Sequence, residues 1–173
     1  MENFKIKLNK IKAFIFDVDG VLTDGSVTLM HDGMHSKTMN IKDAYALQLA
    51  IKKGYIVAII SGGKSEVLRE RMKWLGITDI FLGSHTKIDS YNELIASYSL
   101  NHDEILYMGD DIPDHEVMKC VGVATCPADA AQEIKDISIY ISQKKGGKGA
   151  VRDVVEQVLR LHGKWFDTDG FVW

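Results

Sequence analysis

A doubly wound α/β fold with a mainly parallel sheet is predicted for this chain of 173 residues, on three observations. Short runs of β-branched and aromatic residues alternate with longer stretches that are apolar at helical spacing, the pattern of strands joined by crossover helices. No low-complexity linker or internal repeat interrupts that order. The length suits one such domain with a proper core and is short for two.

Taken in order, residues 11–16 (IKAFIF) form a buried strand. Residues 26–38 form a small hairpin, in which Val27, Leu29 and Met30 precede the turn pair at His31-Asp32-Gly33. A helix over 42–53 carries Ala44, Leu47, Ala50 and Ile51 on one face and stops at Gly54. Residues 55–60 (YIVAII) are a second buried strand, and a helix over 64–75 buries Val67, Leu68, Met72 and Leu75. A short strand at 79–82 leads to a helix over 87–98, with Ile88, Tyr91, Leu94, Ile95 and Tyr98 on one face. Residues 104–108 (EILYM) are a strand running into Gly109-Asp110-Asp111, after which Pro113 suits the first turn of a helix. Strands at 121–124 and 137–141 flank a helix over 129–135. The last helix, over 150–161, has Val151, Val154, Val155 and Val158 as its stripe. The expectation is one domain over 1–173, with a hairpin flap at about 25–39 and an aromatic tail at about 163–173.

Composition narrows the function classes. A formal net charge of -3 gives no reason to expect nucleic acid or an anionic membrane as partner. The opening MENFKIKLNK lacks the apolar core of a secretory signal or anchor, and no apolar run approaches the roughly 20 residues that span a bilayer. A cytoplasmic protein is expected. Cys120 and Cys126 lack the company of zinc ligands and read as reduced thiols. The six histidines show no ligand spacing.

Chemistry gathers at strand ends. Asp17 and Asp19 stand where the first strand stops, and they repel each other unless a cation or proton lies between them. Ser61-Gly62-Gly63 follows the second strand, Lys87 opens a helix after a short strand, and Asp110, Asp111 and Asp114 follow a later one. In open α/β sheets ligands sit beyond the carboxyl ends of the strands. There the set offers carboxylates for Mg²⁺, a hydroxyl and N–H groups for phosphate oxygens, and a balancing cation, which is what phosphoryl transfer requires. Read singly, the acids are a turn, the glycines a tight connection and the lysine a solvated helix start. Their order on consecutive strand ends favours chemistry.

These four segments resemble the four motifs of the haloacid dehalogenase superfamily of phosphohydrolases, from Asp17 to Asp114. The DGVLTDG opening, the hairpin in place of a cap domain, and KGGKGAVRD at 145–153 are similar to the 3-deoxy-D-manno-octulosonate 8-phosphate phosphatases within it. The resemblance implies a capless, haloacid dehalogenase-like Rossmannoid domain that hydrolyses a sugar phosphate for lipopolysaccharide precursor synthesis. It implies Asp17 as nucleophile forming an aspartyl-phosphate, and Asp19 as general acid and then base. Mg²⁺ would be held by Asp17, the backbone carbonyl of Asp19 and Asp110, with Asp111 or Asp114 in its surroundings. Ser61 and Lys87 would hold the phosphate. Gly62, Gly63, Arg71 and Lys148 are weaker substrate-binding candidates, and Asp24 matches the pattern without an assigned role. A homotetramer is also implied. The phosphatases of nine-carbon keto-sugar 9-phosphates are a sister alternative, in which Glu stands where this chain has Gly63. A phosphorylated receiver domain also gathers acids and a lysine, but lacks the second carboxylate two residues from the nucleophile.

The glycines between Lys144 and Gly149 read either as an anion-binding nest or as a flexible loop. Arg71 reads either as a grip on a sugar carboxylate or as a solvated helix arginine. Asp167-Thr168-Asp169-Gly170 repeats the DxDG spelling, but no apolar strand feeds it. Trp165, Phe166, Phe171 and Trp173 around it are too few for a core and are expected to dock on their own domain or on a neighbour. A hairpin this small cannot cover the site alone, so one protomer is expected to complete the site of the next.

Overall fold

The computed structural model describes residues 4–31 and 35–171. In chain order the elements are α1 (Phe4–Leu8), β1 (Ala13–Phe16), β2 (Thr28–Leu29), β3 (His35–Ser36), α2 (Ile41–Lys52), β4 (Ile56–Ser61), α3 (Glu66–Trp74) and β5 (Asp79–Leu82). They continue with α4 (Lys87–Tyr98), β6 (Ile105–Met108), α5 (His115–Cys120), β7 (Val123–Cys126), α6 (Gln132–Ile137), β8 (Tyr140–Ile141) and α7 (Ala150–Leu161). Six strands form one parallel sheet in the order β5-β4-β1-β6-β7-β8, while β2 and β3 pair antiparallel.

The sheet is buried on both faces, which is why its central strands are continuously apolar. Side chains alternate across it. Phe14, Phe16, Val57, Ile59, Leu106 and Met108 pack with α2, α3 and α7 on one face. Ala13, Ile15, Ala58, Ile60, Ile105 and Tyr107 pack with α4, α5 and α6 on the other. In register, Phe16 lies between Ile59 and Met108, so β1 is central. The chain winds outward from β1 through β4 and β5, then returns to build β6, β7 and β8 on the other side. That reversal opens a crevice beyond the end of β1.

Several boundaries differ from the sequence-based expectation. Val67 is not buried but 82% exposed. Ser65 caps α3 by accepting from the Leu68 N–H at 3.3 Å, and the inward stripe then runs through half-buried Leu68 and buried Met72 and Leu75, leaving Val67 one position round the helix. Tyr98 is likewise half-exposed, its hydroxyl donating to Asp79 Oδ2 at 2.8 Å. The strand expected at 121–124 lies at Val123–Cys126, because Val121 closes α5. The strand expected over 137–141 is confined to Tyr140–Ile141 at the sheet edge, and α6 takes residues up to Ile137. Helix α1 has no sequence signature: of its five residues only Leu8 is buried. The hairpin turn at Asp32-Gly33 lies outside the described residues. Both cysteines are free, Cys120 exposed and Cys126 buried.

The tail docks on its own domain. Trp165 joins the core, edge-on to Tyr45 with ring centroids 6.2 Å apart. The Tyr45 hydroxyl donates to the Gly170 carbonyl. The DTDG spelling works as a clamp, since Lys53 Nζ lies 2.6 Å from both Asp167 and Asp169. Phe166 and Phe171 stay 79% and 67% exposed, stacked edge to face. Trp173 lies outside the described residues.

Candidate active site

The loop after β1 is held in place by its own short-range bonds. Asp17 N–H still donates to Met108 O (3.1 Å), which ties the residue to β6. Behind it Thr23, buried, donates its hydroxyl to Val18 O and accepts from the N–H groups of Gly20 and Gly25, each at 3.3 Å. Gly20 has φ +81°, and a Cβ there would fall 1.9 Å from Asp110 Oδ2. Only a glycine lets the two loops approach so closely. From the far end of the chain Gly146 presses against the same turn, where a Cβ would sit 1.8 Å from the Gly20 carbonyl oxygen. Gly147 N–H donates to Val21 O at 2.9 Å. Gly146 and Gly147 thus pack backbone on backbone.

Acids and one cation converge in the crevice. Lys87, the first residue of α4, is buried, and its Nζ lies 3.0 Å from Asp17 Oδ1 and 2.6 Å from Asp114 Oδ1. Tyr107 donates its hydroxyl to Asp114 Oδ1 at 2.6 Å, and Asp110 N–H donates to Asp114 Oδ2 at 3.2 Å. Asp17, Asp110 and Asp114 each bring a carboxylate oxygen within 4.8 Å of the others. Burial, then the negative charge of Asp114, raise the Asp17 carboxyl to about 7 against the pull of Lys87. Burial, then Asp17 and Asp114, raise Asp110 to about 8. For Lys87 burial works against the charge, but Asp17 and Asp114 outweigh it and hold its pKa above the ordinary value. Burial and Asp114 also push the Tyr107 hydroxyl well up, so it remains a donor.

One ammonium does not neutralise three carboxylates, two of them buried and the third half-buried. The cluster therefore favours protons or a further cation. Its donors are all oxygen, which suits a hard divalent ion such as Mg²⁺. Asp110 and the Asp17 oxygen not paired with Lys87 are the groups left to hold it, because both oxygens of Asp114 are taken by Lys87, Tyr107 and the Asp110 N–H.

The other sequence candidates fall into two groups. Asp19 stands beside the cluster, its carboxylate oxygens 2.6 and 2.8 Å from Lys37 Nζ on the hairpin. Ser61, 1% exposed at the end of β4, accepts from Gly63 N–H at 3.2 Å, which leaves its own proton free to donate. Gly62 and Gly63 form the turn, with Gly63 O accepting from Gly83 N–H. A Cβ on Gly63 would meet Asp19 Oδ2 and Ser61 Oγ at 3.5 Å, so this turn lines the crevice. Asp111 instead caps the short 3₁₀ turn at Ile112–Asp114, accepting from Ile112 N–H. Arg71 lies over the Trp74 ring, 4.7 Å from its centroid. Lys148 Nζ reaches Asp24 at 3.5 Å and lines a cleft of about 760 Å³ between α2 and α7, whose walls include none of Asp17, Asp19 and Asp110.

Sequence reasoning missed Tyr107, Lys37 and Asp43. Tyr107 could have been found, since it shares a strand face with Ile105 and carries a polar tip toward the end where the acids stand. Lys37, which follows the exposed two-residue strand β3, offers no such signal. Asp43, buried in the first turn of α2, accepts from the N–H groups of Gly149 (3.1 Å) and Arg152 (2.7 Å), and so caps α7 from a neighbouring helix.

Comparison with known proteins shows the family and the fold. Residues 72–154 match the model of the haloacid dehalogenase-like hydrolases. A 3-deoxy-D-manno-octulosonate 8-phosphate phosphatase of Escherichia coli K12 is 34% identical over 164 residues, covering 95% of this chain and 87% of the relative. The crystal structure of such a phosphatase from Yersinia pestis superposes with a TM-score of 0.92 at 34% identity, over 94% of this chain and 88% of that one. The enzyme from Moraxella catarrhalis, solved with magnesium, phosphate and a KDO molecule, gives 0.89 at 33% identity, over 93% and 92%. Fold, site and likeness together place this chain in the haloacid dehalogenase-like hydrolases, within the family of 3-deoxy-D-manno-octulosonate 8-phosphate phosphatases.

Proposed function

We propose that this protein is a Mg²⁺-dependent phosphomonoesterase that hydrolyses 3-deoxy-D-manno-octulosonate 8-phosphate during lipopolysaccharide precursor synthesis. The observation that carries the reading is the buried Asp17–Lys87–Asp114 chain beside Asp110, at the point where strand order reverses. The likeness over nearly the whole chain to phosphatases of that ester supports the substrate.

Each residue's part follows from its place. Asp17, pinned through its N–H to β6, presents an oxygen to phosphorus and takes the phosphoryl group as an acyl phosphate. Asp19 is free of the cluster and protonates the departing sugar oxygen, then takes a proton from the water that attacks the phosphoenzyme. Ser61 and Lys87 hold phosphoryl oxygens with one hydroxyl and one ammonium. Asp17, Asp110 and the Asp19 carbonyl would hold Mg²⁺, which when bound screens the negative charge between nucleophile and phosphate. Asp114 orients Lys87, and Asp111 fixes the turn that carries Asp114.

The same reading takes residues 1–173 as one domain and assembles it as a homotetramer in the cytoplasm, the hairpin of one protomer completing the site of the next. Val27, Leu29 and Met30 on the hairpin are 47%, 84% and 50% exposed, which supports a partner there. Light scattering that finds a fully active monomer removes the tetramer. Phosphate release from a panel of sugar phosphates, with and without Mg²⁺, tests the function. Turnover is expected on the eight-carbon ester and only with the metal. A higher kcat/KM on a nine-carbon 9-phosphate overturns the substrate.

A further inference from the structure

We propose that Lys37, carried on the hairpin, is a positioning residue for the phosphatase reaction, fixing the Asp19 carboxyl where it exchanges a proton with the sugar oxygen. The inference rests on the function proposed above.

The acids of the site are held very differently. Asp17 and Asp114 are locked in a buried chain with Lys87, and Asp114 takes two further bonds. The turn that carries Asp19 is held, but its side chain is 42% exposed, so burial does not fix the carboxyl. Among the described residues, the hydrogen bonds recorded for its carboxylate are the two from Lys37 Nζ, at 2.6 and 2.8 Å. Lys37 follows β3 directly and, like every described residue of β2 and β3, is exposed as a residue, but its side chain lies over Asp19 and is only 27% exposed. An ion pair this open to water adds little to folding stability. What it can supply is orientation, which matters because a misplacement of about 1 Å costs roughly 10²-fold in rate.

The geometry serves both halves of the reaction. In the first, Asp17 oxygen bonds to phosphorus as the bond from phosphorus to the sugar oxygen breaks. The sugar oxygen keeps the electron pair and takes the Asp19 proton. A neutral Asp19 carboxyl can keep its carbonyl oxygen on Lys37 and turn its hydroxyl to the ester. In the second half, water attacks phosphorus and gives its proton to Asp19, freeing phosphate and restoring Asp17. The ionised Asp19 then holds Lys37 with both oxygens, the arrangement seen here.

The test compares Lys37→Gln and Lys37→Arg, each alone and with Asp19→Asn, on the sugar phosphate and on 4-nitrophenyl phosphate. The aryl leaving group departs as a stable anion and needs no proton, and kcat/KM reports only steps through its departure. Lys37→Gln is expected to lower kcat/KM about 10²-fold on the sugar phosphate and less than about threefold on the aryl ester. Lys37→Arg should restore most of the loss, and Lys37→Gln should cost nothing further once Asp19 is Asn. Equal losses on both esters, additive losses in the double variant, or no loss on the sugar phosphate overturn the proposal. Wild-type protein inactive on both esters would instead overturn the phosphatase reading itself.

Discussion

At the scale of single residues, position matters more than identity. Asp17 and Asp24 carry the same side chain a few residues apart, yet burial lifts the first to about 7 while Ser26 N–H and Lys148 hold the second below its usual range. Asp17→Asn removes the carboxylate proposed to attack phosphorus but keeps size and burial. We expect turnover to vanish with an unchanged circular dichroism spectrum, and a variant keeping a substantial share of wild-type activity would end the covalent route. Asp43 tests a different property. Its carboxylate accepts two N–H groups at the start of α7, which begins at Gly149 with no side-chain cap of its own. Asp43→Ala should cost about 1–3 kcal/mol in denaturant unfolding. A loss within error of zero would show that water replaces the cap. Asp17, Ser61, Lys87 and Asp110 were legible because each follows an apolar run that marks a strand end. Asp43 was not, because a buried helix acid looks like any solvated one until its partner helix is known.

At the scale of elements, the sequence reveals type more readily than extent. The helices over 87–98 and 150–161 stand where their apolar spacing puts them. The strands around β7 and β8 shifted because a short apolar run does not say which residues meet a neighbour's backbone. Strand order was also hidden, since a crossover can return on either side of β1. The tail shows how an apolar cluster at a terminus finds its place. Trp165 fills a gap between α2 and α7, with Arg152 5.0 Å above its ring, and Lys53 fixes the segment beyond. Trp165→Ala should lower stability by about 3–5 kcal/mol. Lys53→Met, which keeps the largely covered stem of Lys53 and cuts only its pairs with two solvent-facing acids, should cost about 1 kcal/mol or less. If the two melt alike, the tail is held by its charges and not by the indole.

At the scale of the whole molecule, the site works against the fold. Without a cation, Asp17 and Asp110 have pKa values raised to about 7 and 8, above those of an unfolded chain. The folded state then binds more protons than the unfolded one, and stability conferred at low pH is lost as pH rises through those values. Calorimetry of metal-free protein should therefore show the melting temperature falling from about pH 4 and levelling off above about pH 8, relative to protein saturated with Mg²⁺. Groups remote from the site titrate alike in both samples and cancel. Parallel curves would mean that the acids do not share a cation. Among the described residues no helix is long and apolar enough to cross a membrane.

The contact between Gly146 and Gly20 joins parts of the chain far apart in sequence. Residue 146 must therefore leave the ribosome before the turn after β1 can be buttressed. Shorter chains carry Asp17 but lack the wedge that shapes its surroundings. With Asp17 as the proposed nucleophile, onset of hydrolysis during synthesis would report the arrival of that wedge.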